Sequence, residues 1–188
     1  MIIEITAQAI GIIAMAFNVL SYQQKKQKYI IAMQFCGSAL FATHFFMLGA
    51  YMGGILNAVG IFRAVVFLQK DRWKSDRIIW SVGFILIYLA SYVLSFTALG
   101  LEFNLKNAIL ESLPVIGMTA TTIAFRCKTA KSTRLLSLIS SPSWLIYNIF
   151  ALSVGAICCE VISIASIFVG LFRYDYKQDK GIGEEENG

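Results

Sequence analysis

Apolar runs of about twenty residues, separated by short polar breaks, occupy most of the chain. A helix rises 1.5 Å per residue, so about 20 apolar residues cross a bilayer. The pattern predicts helices near 5–22, 29–47, 51–69, 78–97, 108–125, 133–150 and 154–172. Gly49-Ala50-Tyr51 divides the second from the third, and the stretch from Ser153 to Gly155 divides the sixth from the seventh. Glu111 and Pro114 are placed near the start of the fifth, where proline costs little because first-turn amides lack intrahelical partners. Glu111 there would favour the positive end of the helix dipole. No basic region precedes the first run, and no small-residue cleavage site follows it before Gln23. The first segment is therefore read as a retained helix.

Composition narrows the class. Of 188 residues, 57% are hydrophobic and 14% charged, with a mean hydropathy of +0.69. A soluble domain carries about 25% charged residues. The excess apolar surface excludes a water-soluble enzyme, a nucleic-acid-binding domain, a disordered chain and a secreted disulfide scaffold. An all-α polytopic membrane protein is left, with the lipid bilayer as its first partner. Cys36, Cys127, Cys158 and Cys159 have no metal-type spacing and read as small buried hydrophobes.

The net charge of +5 is then a topology signal. Lys25, Lys26 and Lys28 follow the first helix, and Lys70, Arg72, Lys74 and Arg77 the third. Arg126, Lys128, Lys131 and Arg134 follow the fifth; Arg173, Lys177 and Lys180 follow the seventh. Only Lys106 falls on the opposite side, and Arg63 lies inside a helix. Seven crossings put these basic loops on one face, so the N-terminus is expected outside and the C-terminus in the cytoplasm.

An internal repeat is also expected. Ile10-Gly11, Ser21, Lys25 and Lys28 match Ile116-Gly117, Cys127, Lys131 and Arg134 at a shift of 106. His44-Phe45-Phe46-Met47-Leu48 matches Asn148-Ile149-Phe150-Ala151-Leu152 at a shift of 104, and Asn57 matches Glu160 one residue out of that register. The organisation is read as a first three-helix repeat (1–74), a linker helix (75–104), a second repeat (105–174) and a disordered cytoplasmic tail (175–188). With one linker helix, both triplets start outside, so the repeat is parallel.

A 3-1-3 parallel repeat resembles the SWEET, PQ-loop and PnuC group of small transporters. More closely, the chain resembles the YgjV-type bacterial inner-membrane proteins. The matching stretches are His44-Phe45-Phe46-Met47-Leu48-Gly49, Leu56-Asn57-Ala58, Leu113-Pro114-Val115-Ile116-Gly117 and Trp144-Leu145-Ile146-Tyr147-Asn148, together with Glu160. The resemblance implies a multi-pass protein of the bacterial inner membrane. It departs from the PQ-loop pattern: Ser21-Tyr22-Gln23-Gln24 and Phe125-Arg126-Cys127-Lys128 both lack the hinge proline.

Polar groups inside a bilayer need partners and are candidates for function. Asn57 shares a stripe with Gly53 and Gly60, and reads either as a ligand contact or as an interhelical hydrogen bond. The SWEET resemblance implies the former. Glu160, beside Ser163, would suit a cationic group or a proton-coupled step; the alternative is that it reaches water at the outer surface. Trp144 and Tyr147, following Pro142, would form an aromatic wall near Asn148. Arg63 reads first as a side chain snorkelling to the interface, with a gating role or an anion partner as the alternative. His44 reads first as a hydrogen-bonding partner in the outer half, with a proton-linked role as the alternative. Ser140, Ser141, Ser163 and Ser166 would extend a polar path if they face inward, while Trp73 and Trp80 read as interfacial belt residues.

No His-Glu-x-x-His, Gly-x-Ser-x-Gly or nucleotide-binding motif is present in the sequence. An enzyme is not expected, nor a cofactor, a metal or nucleic acid. The preferred reading is a secondary or facilitative transporter of a small polar solute, its site built around Asn57, Glu160, Trp144 and Asn148. The runner-up is a non-transporting receptor or assembly protein on the same fold. Homo-oligomerisation is compatible with either.

Overall fold

The computed structural model describes residues 2–176. Eight α-helices make up nearly all of it: α1 (Ile2–Ser21), α2 (Gln27–Met47), α3 (Tyr51–Leu68), α4 (Lys70–Trp73), α5 (Ile78–Thr97), α6 (Leu105–Arg126), α7 (Ala130–Phe150) and α8 (Val154–Gly170). A wider π-type turn, Leu171–Tyr176, closes the described chain. The seven long helices fall where the apolar runs predict them. Two begin about three residues early for a local reason. The Asn104 side chain accepts from the Asn107 amide at the start of α6, and Thr129 accepts from the Ser132 amide at the start of α7.

These caps correct the reading of Glu111 and Pro114. Both lie well inside α6, beyond the first turn where the helix dipole acts. Pro114 leaves the Leu110 carbonyl without its helical donor. The helix continues through it, as α7 does through Pro142.

Six of the long helices are apolar and long enough to cross a membrane; α7 falls outside that set despite its 21 residues. Its composition is inverted. Thr133, Arg134, Ser137, Ser140, Ser141 and Ser143 are buried, whereas Leu135, Ile139, Ile146 and Ile149 are exposed. The same inversion runs through the molecule, with buried serines on α5, α7 and α8 and isoleucine, leucine and phenylalanine turned outward on most long helices. Such a surface is stable against hydrocarbon and not against water.

Helix packing follows a closed order. α1 packs on α2, α2 on α3, α3 on α6, α6 on α7, α7 on α8, and α8 returns to α1. The α2 and α7 helices touch sparingly across the middle. The α5 helix stands outside this ring against α6 and α3. In the ring, α3 and α8 are diametrically opposed.

The turns after α2 and α7 are built alike. In the first, the amides of Leu48, Gly49 and Ala50 donate to the carbonyls of His44, Phe46 and Phe45; in the second, Ala151, Leu152 and Ser153 donate to Tyr147, Ile149 and Asn148. Both reverse through a left-handed residue, Gly49 (φ 73°) and Leu152 (φ 52°). These bonds coincide at a shift of 103. That register pairs Asn57 with Glu160 and corrects the pairing of His44, whose counterpart becomes Tyr147 rather than Asn148. The His44 side chain reaches the start of α8, and the Tyr147 side chain the start of α3. His44 Nε2 lies 2.7 Å from Ser153 Oγ, and the Gly53 amide donates to the Tyr147 hydroxyl at 3.3 Å.

Candidate functional site: a polar cavity inside the helix ring

The carbonyl-bearing ends of α1 and α6 lie at one end of the bundle and are closed by cations. Lys70 Nζ donates to the Phe125, Arg126 and Cys127 carbonyls at 2.9–3.1 Å. Burial pushes this ammonium below its ordinary value. Arg134 does the same for α1: Nε donates to the Tyr22 carbonyl at 3.0 Å and Nη2 to that of Gln24 at 2.7 Å. Its Nη1 holds Asp175 at 2.8 Å with the arginine side chain fully buried. Orphan carbonyls at a helix C-terminus attract cations. Arg134 is thus a structural clamp and not a solvated loop charge. Asp175 and Tyr176, expected in a disordered tail, lie in the π-type turn; the rest of that segment lies outside the described residues.

Inside the ring is a cavity of about 70 Å³. All six ring helices contribute to its wall. Asn18 comes from α1, with Tyr22 just after it, and Gln34, Ser38, Phe41 and Phe45 come from one stripe of α2. Asn57 and Arg63 come from α3, Met118 and Thr121 from α6, and Ser140, Ser141, Trp144 and Asn148 from α7. Ala156, Glu160 and Ser163 complete it from α8. No residue of α5 lines it.

Five of the six residues singled out from the sequence meet here. Asn57 Nδ2 donates back to the Gly53 carbonyl of its own helix at 2.9 Å, so it makes no interhelical bond with that group. Glu160 is half-buried, and Ser141 lies within hydrogen-bond reach of its carboxylate. It faces this interior space rather than the outer surface. Trp144 stacks on Phe45 (centroids 6.2 Å apart) and meets Tyr147 edge-on at 5.8 Å. Its ring lies where a Cβ on Gly117 would stand, 2.8 Å away, so only glycine fits there. Asn148 is 1% exposed, and its Oδ1 has no hydrogen-bond partner.

Arg63 does not snorkel. It is 3% exposed, its guanidinium sits 4.9 Å over the Phe125 ring, and Nη1 is 3.2 Å from the Met118 carbonyl. The Tyr88 and Thr122 hydroxyls are each at 3.4 Å from Nη1. Nε has no partner, and no carboxylate is paired with this cation. A stem long enough to reach the interface turns inward because α5 and α6 supply oxygens and an aromatic face there.

His44 is the exception. It is wholly buried but off the cavity, held between the Ala7 carbonyl (2.7 Å) and Ser153 Oγ. Gly11 leaves it room. Its place ties α1, α2 and the start of α8 together.

Asn18, Gln34, Ser38 and Thr121 were not anticipated. Gln34 and Ser38 lie four residues apart on an apolar helix, the signal that singled out Asn57. Of the four serines expected to form a path, Ser140, Ser141 and Ser163 line the cavity. Ser166 turns to α1, donating to the Val19 carbonyl and accepting from Gln23 Nε2.

Comparison with known proteins places this architecture. A family described as bacterial inner membrane protein, Imp-YgjV, matches residues 5–178. The inner membrane protein YgjV of Escherichia coli (strain K12) is 25% identical over 179 residues, covering 94% of this chain and 88% of that protein. No solved structure matches. The chain is a multi-pass bacterial inner-membrane protein and belongs to the YgjV family.

Proposed function

We propose that the protein is a secondary or facilitative transporter of a small polar solute, with its site in the cavity between two three-helix repeats. One observation carries the reading: polar side chains from all six ring helices, Asn18, Gln34, Asn57, Thr121, Asn148 and Glu160, line one cavity in the interior of a membrane protein. Leaving a buried polar group unsatisfied costs about 1–3 kcal/mol. A bound polar solute would supply partners to such a wall.

The membrane arrangement that goes with this reading has seven crossings, α1–α3 and α5–α8, in a 3-1-3 parallel repeat. Exchanging α1, α2 and α3 with α6, α7 and α8 maps the ring of contacts onto itself, and the matched turns at a shift of 103 support that exchange. The α7 helix crosses with its polar face inward. The positive-inside rule sets the N-terminus outside and the Lys70 and Arg134 end in the cytoplasm. Catalysis forms no part of the proposal.

The cavity's size bears on the alternative. Ligand pockets usually measure about 300–1,000 Å³, so this one, at about 70 Å³, takes a few solute atoms or must widen to admit more. A permanently closed interior would favour the non-transporting receptor or assembly reading. The test is a thermostability screen of the purified protein against nucleosides, vitamins, sugars and amino acids. A stabilising solute whose effect is lost in Asn57→Ala supports transport; no stabilisation by any class supports the alternative.

A further inference from the structure

Taking the cavity as the solute site, the geometry points to a zwitterion of the size of the smallest amino acids as what it binds. The α3 wall holds a permanent cation, Arg63, which forms no ion pair with an acid among the described residues. The α8 wall, opposite in the ring, holds Glu160, whose neighbour within hydrogen-bond reach is the neutral Ser141. A carboxylate and an arginine in one membrane interior would ordinarily pair with each other; here no salt bridge joins them. A cation buried without a counter-ion is costly, by several kcal/mol.

A solute carrying both signs gives Arg63 its counter-ion and Glu160 a cationic partner at once. Its carboxylate accepts from the Arg63 guanidinium and its ammonium donates to Glu160, with the Asn57 and Asn148 amides as further partners along the wall. An anion would leave Glu160 uncompensated, a cation would leave Arg63 so, and a neutral polar molecule would leave both. Volume sets the size. At about 70 Å³ the cavity is well below the about 300–1,000 Å³ usual for ligand pockets, which suits a short solute without a bulky side chain. Trp144 and Phe45 add apolar rings to its wall.

The test compares four probes of nearly equal size on the purified full chain: glycine, acetate, methylammonium and acetamide, with binding read by isothermal calorimetry and thermal shift. Glycine is expected to bind at least about tenfold tighter than the other three, a difference of about 1.4 kcal/mol. Arg63→Gln should erase the preference over methylammonium, and Glu160→Gln the preference over acetate. Arg63→Lys and Glu160→Asp, which keep the charges, should retain part of each, separating ligand recognition from damage to the fold. Equal or tighter binding of acetate, methylammonium or acetamide would overturn the zwitterion assignment and leave the transporter reading standing. So would a preference for glycine that survives both neutralising substitutions, or a solute of another class from the wider screen binding where glycine does not. Silence of all four probes and of the wider screen would overturn both.

Discussion

Arg134→Ala is expected to destabilise the protein by about 3–5 kcal/mol, the range for removing one partner of a buried ion pair. The arginine side chain is fully buried, and its three nitrogens join two carbonyls beyond α1 to Asp175 beyond α8. Alanine leaves a carboxylate 12% exposed and two carbonyls without their donor. At about 2–4 °C per kcal/mol for a chain of this length, the midpoint in detergent should fall by roughly 6–20 °C. Asp175→Asn should cost less, because the carbonyl bonds remain. A midpoint unchanged in Arg134→Ala would show that the clamp does not form.

Asn148→Leu is expected to raise stability and abolish solute binding together. Oδ1 is buried without a partner, and leucine matches the residue in size while removing that deficit, a gain of about 1–3 kcal/mol. Asn148 lines the cavity, so the same substitution takes a polar group out of its wall. Thermal unfolding with and without the solute from the screen checks both halves. A residue kept for function at a cost in stability behaves this way; a fall in stability would mean that Asn148 has a structural partner.

The positions of the helices were legible because hydrocarbon imposes a single length and composition on a crossing segment. The α7 helix strains that rule, since its serines and Arg134 face the ring, but its outward isoleucines and leucines kept the run visible. Helix starts were less legible, because Asn104 and Thr129 set them by capping and not by hydrophobicity. The likeness of the turns after α2 and α7 could be read from the sequence only to within a residue; hydrogen bonds that no apolar pattern records set it at a shift of 103. For the cavity, polarity inside an apolar run pointed to Asn57, Asn148 and Glu160, and the same logic applied to Gln34 would have found it. Arg63 was harder. Its stem permits either an outward or an inward pose, and only Tyr88, Thr122 and Phe125, from two other helices, decide between them.

A polar interior inside the ring that solute reaches from a membrane face can be checked by thiol labelling. Cys36, Cys127, Cys158 and Cys159 are first replaced by alanine or serine. Single cysteines are then placed at Asn57 and Ser141 on the cavity wall and at Phe62, which is 71% exposed on the outer surface. Right-side-out and inverted vesicles are treated with a small, membrane-impermeant methanethiosulfonate. Asn57→Cys and Ser141→Cys are expected to react from at least one face, and Phe62→Cys, surrounded by lipid, is not. Failure of both cavity positions to react from either face, in protein that reacts fully once unfolded, would contradict such an interior.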